Sequence, residues 1–552
     1  MASFLETIFS QLQRADGRVI LREIHGDEFI SITGRELLDL VQRARAWLLQ
    51  SELRAGDRCA ILGANSMEWI AIDLALMAEG FIVVPLYSRQ ATPEIVAMMR
   101  DCQPALFISS DEHAAAQVRG LWSDGPRAVG MSEVLRGAGE LRQASAAPKE
   151  IPGDSVVTII YTSGTSGEAK GVCLTVANVT HMLRCTTERL NELTGETKEP
   201  DRVFHYLPFN FAGSWILLLS CLSRESVLTL STDLNKLVDE IRLASPHYFL
   251  NVPTLLERVR RGVEEAIAKR PAILRKLFFE AKNAGIRKRT GKGGGFDELW
   301  LAAAQRLIFV KIKQRFGANL QALICGSAPL APETQEFFML LGIRVLQAYG
   351  LTETTAISTM DDPRTSVKPG FVGPAIPGIE MKLGENEEIL IRGPHIFPGY
   401  WKRPAETALA LTDGWFHSGD QGEVDLLGNW RIIGRIKDLI ILNSGHNVAP
   451  EPIEDKIAQR LAMAQQVVVV GDRRGYLSVL IAGEAEPAVV QSALDAVNAD
   501  LPHYRQVRNF TLLPQGFTAE NGLLTAFGKV RREAINKRFA HEIDAMYEKK
   551  SS

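Results

Sequence analysis

Two hydrophobic periods run along this chain and predict its elements. From Gly34 to Leu53, apolar Leu37, Leu40, Val41, Ala44 and Leu48 recur at helical spacing with charges between them, the pattern of an amphipathic helix. Cys59–Leu62 reads as a strand, Glu68–Ala78 as a largely buried helix, Phe81–Leu86 as a second strand, and Ile95–Met99 opens another helix. Val156–Ile160 is a short β-branched run, and Gln321–Cys325 is a strand running into a Gly/Ser/Pro turn. Strand and helix in alternation imply parallel strands joined by crossover helices, an α/β architecture. Near the end the pattern changes. Ile453, Ile457 and Leu461 fall on one face of a helix over Pro452–Ala462, and strands at Gln466–Val470 and Leu477–Ile481 flank Gly471-Asp-Arg-Arg-Gly475, a hairpin signal.

Length and composition narrow the class. A chain of 552 residues exceeds one compact core, so two or more domains are expected. A hydrophobic content of 46% and a charged content of 23% are those of a soluble globular protein, and a net charge of −3 gives no reason to expect nucleic acid. Six scattered cysteines without a CxxC pair read as reduced thiols and no zinc site. The N-terminus lacks a basic, then apolar, signal pattern, and the longest apolar run, Trp215–Leu219, is far short of a membrane span. A cytoplasmic location is expected.

The Val156–Ile160 strand leads into Tyr161-Thr-Ser-Gly-Thr-Ser-Gly-Glu-Ala-Lys-Gly171. Gly164, Gly167 and Gly171 are interleaved with Thr162, Ser163, Thr165 and Ser166, and Lys170 precedes the last glycine. Glycines let successive N–H groups curl around an anion, and one lysine adds a point charge, which suits a polyphosphate. It is not a Walker A loop, since no window reads GxxxxGK[ST]. On its own such a loop is equally a flexible turn. Gly326-Ser327-Ala328 sits just beyond a strand, where ligands of open α/β sheets bind. In Gln347-Ala-Tyr-Gly-Leu-Thr-Glu-Thr-Thr355, Tyr349 offers a flat face for a purine, Thr352 a hydroxyl for phosphate and Glu353 a hard oxygen for Mg²⁺. That string also reads as a loop with a helix cap at Thr352.

Together these strings resemble the phosphate loop and nucleotide site of the adenylate-forming superfamily of acyl-CoA synthetases, luciferases and peptide-synthetase adenylation domains. The string Gly56-Asp-Arg-Cys-Ala-Ile-Leu-Gly-Ala-Asn-Ser66 with Gly80-Phe-Ile-Val-Val-Pro-Leu86, Gly414-Trp-Phe-His-Ser-Gly-Asp420, Trp430-Arg-Ile-Ile-Gly-Arg435 and Glu520-Asn-Gly-Leu-Leu-Thr-Ala-Phe-Gly-Lys529 extend the resemblance over nearly the whole chain. It implies a large N-terminal domain over 1–435, of stacked, mostly parallel sheets with helices, and a small mobile α+β domain over 436–552. It further implies ATP held by Thr162 to Gly167, Lys170, Gly326, Ser327, Ala328, Tyr349, Gly350 and Thr352, with Asp420 and Arg435 at the ribose. Mg²⁺ falls to Glu353 with Thr162, the hinge to Lys437 and adenylation to Lys529. Phe211, where the family usually has histidine, Trp215, where some fatty acyl-CoA synthetases gate their tunnel, and Gly326 would line the acyl pocket. Phe211 and Trp215 equally read as the aromatic start of a buried helix. Ser418 stands where threonine is more common, and Ala526 where the long-chain synthetases commonly have proline.

From Glu257 to Lys292 there are 12 Lys/Arg against four Glu, closing on Gly291-Lys-Gly-Gly-Gly295, a flexible linker by composition. An excursion of about 256–300 resembles the long-chain synthetase branch. It reads either as a solvated helical face or as a surface for anionic lipid, CoA phosphates or an acidic carrier protein. The expected activity is ATP-dependent activation of an apolar carboxylic acid, then transfer to CoA. The alternatives are transfer to a carrier-protein phosphopantetheine and a non-catalytic nucleotide-binding protein. Neither chain length nor oligomeric state is legible.

Overall fold

The computed structural model describes residues 2–136, 145–163, 169–195, 199–289, 291–461, 464–518, 520–525 and 528–548, with backbone alone at 163 and 465. Gly164, Thr165, Ser166, Gly167, Thr290 and Ala526 lie outside the described residues, as does the side chain of Ser163. The chain forms two compact units. The first comprises 1–380, 391–416 and 426–430; the second comprises 381–390, 417–425 and 431–552.

Two large sheets organise the first unit. Its strands in chain order are β1 (Val19–His25), β2 (Glu28–Thr33), β3 (Arg58–Gly63), β4 (Ile82–Tyr87), β5 (Leu106–Ser109), β6 (Arg127–Gly130), β7 (Val156–Ser163), β8 (Ala169–Thr175), β9 (Asp201–His205), β10 (Ser226–Leu230), β11 (Tyr248–Asn251), β12 (Ala322–Cys325), β13 (Arg344–Tyr349) and β14 (Thr359–Met360). One sheet runs β14-β13-β12-β11-β9-β10-β1-β2, parallel from β13 through β1 and antiparallel at both edges. The other runs from β8 through β7-β4-β3-β5-β6, with the two-residue strand Gly399–Tyr400 outside β8. Strands buried on both faces read as continuous apolar runs, hence β4 (Ile-Val-Val-Pro-Leu-Tyr) and β12 (Ala-Leu-Ile-Cys). The α/β expectation is met.

Local chemistry sets the element ends. The helix Gly34–Leu48 stops short of Leu53 because the Leu48 carbonyl accepts from both the N–H and the hydroxyl of Ser51. The helix Met67–Ala78 starts where Ser66 Oγ accepts the Trp69 N–H. The Gly291–Gly295 stretch is a tight turn rather than a loose linker. Gly291 turns with φ +71°, Asp297 Oδ2 accepts the Gly294 N–H, and a helix runs from Gly295 to Ala304.

In the second unit the Glu451–Arg460 helix buries Ile453 and Ile457 against Ala464–Val470 and Leu477–Gly483, which pair antiparallel as the hairpin pattern implies. A third strand, Val507–Leu513, adds parallel to Leu477–Gly483. All six cysteines are free and buried. Among the described residues no helix is long and apolar enough to cross a membrane.

Candidate active site

The described ends of the phosphate-loop string, 161–163 and 169–171, are strand. Strand β7 continues through Ser163, and β8 restarts at Ala169, with Thr162 paired to Lys170 and Tyr161 to Gly171. Lys170 and Gly171 are therefore strand residues. At Gly171 packing by itself calls for glycine. A Cβ there would lie 2.7 Å from Ile159 Cγ2 and 3.2 Å from the Tyr161 ring. The Tyr161 hydroxyl donates to Asp101 Oδ2 at 2.6 Å, and Arg403 pairs with the other oxygen of Asp101 at 2.9 Å, so the root of the hairpin is pinned.

Glu353 and Lys170 converge on one residue that the sequence left unmarked. Tyr400 pairs with Val172 on β8, which brings its ring within 5.4 Å of Lys170 Nζ. Its hydroxyl donates to Glu353 Oε1 at 2.8 Å, and the Phe397 N–H donates to the Glu353 carbonyl at 2.9 Å. A lysine, a carboxylate and the aromatic ring between them thus share one wall, with Thr162 opposite Lys170 in the hairpin. The signal available was modest: Pro398-Gly399-Tyr400-Trp401 is a turn followed by two aromatics.

The next wall is made by two adjacent parallel strands. β12 delivers Gly326-Ser327-Ala328 and β13 delivers Tyr349-Gly350 at the same carboxyl edge. Gly326 is needed because a Cβ would meet the Ala348 carbonyl at 3.0 Å, and Gly350 because one would meet the Ala356 carbonyl at 2.2 Å. Ser327, Thr355 and Ala356 hold φ of +75°, +50° and +105°. Such conformations are costly for residues with a Cβ and cluster at binding sites. Thr352 and Glu353 sit in the short turn Thr352–Thr354 directly after β13.

At the same edge, β9 leads to Phe211, which immediately precedes the helix Ala212–Leu222. Gly213 leaves room for the Phe211 ring, 3.0 Å from where its Cβ would stand. Asn65 clamps this connection, donating to the Leu207 carbonyl and accepting the Phe209 N–H. Trp215 is 1% exposed, and its indole N–H donates to Asp73 Oδ2 at 2.9 Å. Burial pushes the Asp73 carboxyl up to about 7, against the pull of that hydrogen bond. His205 lies beneath, stacked on Phe209 and bonded to Ser214 Oγ; burial lowers it to about 4, so it is neutral. Asp73 was the missed residue here, and a lone aspartate inside Trp-Ile-Ala-Ile-Asp-Leu-Ala-Leu was its signal.

In the second unit, Asp420 and Arg435 come together. Asp420 is buried on the inward-facing set of Trp415–Val424, with the Ser418 hydroxyl accepting its N–H, and Arg435 Nε reaches Asp420 Oδ1 at 2.7 Å. Lys437 follows in the turn Ile436–Asp438, its pKa lowered by half-burial against the pull of Asp438. Lys529 is exposed, its carbonyl accepting the Thr525 N–H and its own N–H donating to Thr525 Oγ1. Among the described residues no three His, Cys, Asp or Glu side chains gather into a metal cage. One carboxylate is nonetheless the usual protein share of a Mg²⁺ site completed by phosphate oxygens, so Glu353 fits that ion.

Residues 8–401 match the family described as AMP-binding enzyme, and residues 437–551 match its C-terminal domain. The chain is 27% identical over 577 residues to the long-chain-fatty-acid–CoA ligase FadD15 of Mycobacterium bovis, covering 96% of this chain and 94% of that one. It is also 27% identical to long chain acyl-CoA synthetase 3 of Arabidopsis thaliana, over 90% of this chain and 83% of the other. Its fold is similar to ATP-bound MatB of Rhodopseudomonas palustris, with a TM-score of 0.74 and 22% identity over 98% and 99% of the two chains. The adenylation domain of a carboxylate reductase from Mycobacterium chelonae superposes with a TM-score of 0.78 and 22% identity, over 99% and 91%.

Proposed function

The chain belongs to the AMP-binding enzyme family, and from that membership we propose that it activates a fatty or other apolar carboxylic acid with ATP and passes the acyl group to CoA. The observation that carries the reading is the convergence of Lys170 and Glu353 on Tyr400. A cation and a hard carboxylate on one wall suit a triphosphate with Mg²⁺. The names of the relatives, long-chain fatty acid ligases matched over most of their length, support a fatty acid as the substrate.

In the first step a carboxylate oxygen of the substrate attacks the α-phosphorus of ATP, and the bond to pyrophosphate breaks. The acid gains AMP as a leaving group in place of oxide. Lys170 and the residues Thr162 to Gly167 before it hold the β- and γ-phosphates, and Thr352 and Lys529 neutralise charge growing at the α-phosphate. Glu353 with Thr162 would hold Mg²⁺, which when bound would supply further neutralisation of the phosphates. Tyr349 faces the adenine beside Gly326, Ser327 and Ala328, and the Asp420 carboxylate, steadied by Arg435, accepts from the ribose hydroxyls. In the second step the CoA sulfur attacks the acyl carbonyl, and AMP leaves. Lys529 and the thiol cannot approach from the same side together, so the second unit swings about Lys437 between the steps. Phe211, Trp215 and Gly326 bound the acyl site, and the enzyme works in the cytosol.

Incubation with ATP, a series of carboxylic acids, and either CoA or a phosphopantetheinylated carrier protein tests this reading by mass spectrometry. Fatty acyl-CoA is the expected product. An acyl group found only on the carrier protein assigns the acceptor differently. No acyl-adenylate and no thioester with any acid overturns catalysis altogether.

A further inference from the structure

The excursion between β11 and β12 is an ordered helical layer with two unlike faces. The helices Pro253–Ala268, Ala272–Arg289 and Gly295–Ala304, the last continuing through a π turn at Gln305–Phe309 to Lys313, turn Leu277, Phe278, Ala281, Ala304, Ile308 and Phe309 inwards. Their outward side should by ordinary amphipathic logic be polar. It is not. Ile273 and Phe296 are each 82% exposed, Leu299 65%, Phe279 and Leu307 51% and Val310 38%. Large apolar side chains grouped at this exposure mark an interaction surface rather than scatter.

The charge on the same layer says what covers it. Residues 257–315 carry sixteen Lys/Arg against six Asp/Glu, a net of +10, while the whole chain carries −3, so the remainder carries −13. Three of the six acids are spent within the layer, Glu264 on Lys282, Asp297 on Arg287 and Glu298 on Lys288. Arg275, Lys276, Lys292, Arg306 and Lys311, on the same helices and connecting turn as the apolar residues, remain exposed. A second copy of the chain in a two-fold contact would set this positive layer against itself, which Coulomb repulsion opposes. Apolar side chains standing out among basic ones match an anionic bilayer surface, where aromatic and aliphatic groups enter the acyl boundary and lysines and arginines meet the headgroups.

We propose that this layer is a docking face for an anionic lipid bilayer, engaged through Phe296, Leu299 and Phe279 with Arg275, Lys276 and Lys292 around them. The face is independent of which acid the enzyme activates, so the test needs neither ATP nor acid.

Purified full-length protein is sedimented with phosphatidylcholine vesicles, with and without phosphatidylglycerol, at low and high salt. The expected result is binding to the anionic vesicles that falls about tenfold on neutral vesicles or in high salt, because surface electrostatics are screened within a Debye length. F296S/L299S and R275E/K276E should each weaken binding about tenfold. Both pairs are solvent-facing, and an unchanged melting temperature verifies folding. Wild type that stays in the supernatant with anionic vesicles at low salt overturns the proposal. So does either variant binding as well as wild type, or a face that ignores vesicles and instead pairs copies of the chain or holds an acidic carrier protein.

Discussion

Asp73 gives the sharpest energetic prediction, because a single proton is at stake in a dry place. Its side chain is 1% exposed, its Oδ2 takes the Trp215 indole N–H, and its Oδ1 has no partner. Burial raises the carboxyl from an ordinary 3.8 to about 7. The folded protein therefore binds this proton more tightly than the unfolded chain does. Its contribution to stability is fully present below 3.8 and is lost as pH climbs to 7, about 4 kcal/mol in all. Asparagine keeps the shape and the acceptor for Trp215 but has no proton to lose. Between pH 5 and pH 8 the stability of Asp73→Asn relative to wild type should thus rise by about 3 kcal/mol. Urea unfolding followed by far-UV circular dichroism at both pH values measures this, read on the transition of the first unit. Parallel pH dependences for the two proteins would refute the reasoning, since they would mean that Asp73 does not titrate between these limits.

Four further substitutions test the site. Lys529→Ala should cut adenylate formation by about 10²–10³-fold while leaving thioester formation from a supplied acyl-adenylate intact; equal loss of both steps contradicts the assigned role. Tyr400→Phe removes the donor to Glu353 and should raise the Mg²⁺ concentration for half-maximal adenylation about tenfold, with little change in rate at saturating Mg²⁺. A lower rate with an unaltered Mg²⁺ requirement would place Tyr400 elsewhere in the chemistry. Asp420→Asn leaves Arg435 without its carboxylate and should raise KM for ATP about tenfold more than KM for the acid. Gly171→Ala puts a methyl group against Ile159 and Tyr161 and should cost about 1–3 kcal/mol, read as a lowered melting temperature; an unchanged value would show that β7 and β8 can part.

Much of this site was legible because its chemistry is local. Gly326 and Gly350 each stand within a string whose type, strand then glycine turn, puts them at the carboxyl edge of the sheet, whereas Asp420 and Arg435, singled out through the family resemblance, meet as an ion pair. Pairing across the chain was not readable. Tyr400 is 47 residues from Glu353, and only its strand contact with β8 carries it to Lys170. The same blindness hid the extent of β7. At the ends of the Gly/Ser/Thr string, antiparallel pairing with β8 keeps Thr162 and Lys170 in the sheet, an extent that composition alone did not show. Composition also misjudged Gly291–Gly295, because capping by Asp297 and the Arg287–Asp297 pair close a turn that glycine content alone would leave loose. The parallel strand Val507–Leu513 escaped for a like reason, since its partner lies in the preceding hairpin.

The central claim is adenylation of a carboxylic acid followed by transfer to a thiol, and acid-dependent pyrophosphate release measures it most directly. With ATP, Mg²⁺ and a fatty acid, wild type should release pyrophosphate in a burst of one equivalent or less, and CoA should convert the burst to steady turnover. Release that is indifferent to the acid, or no release with any acid, would contradict the account.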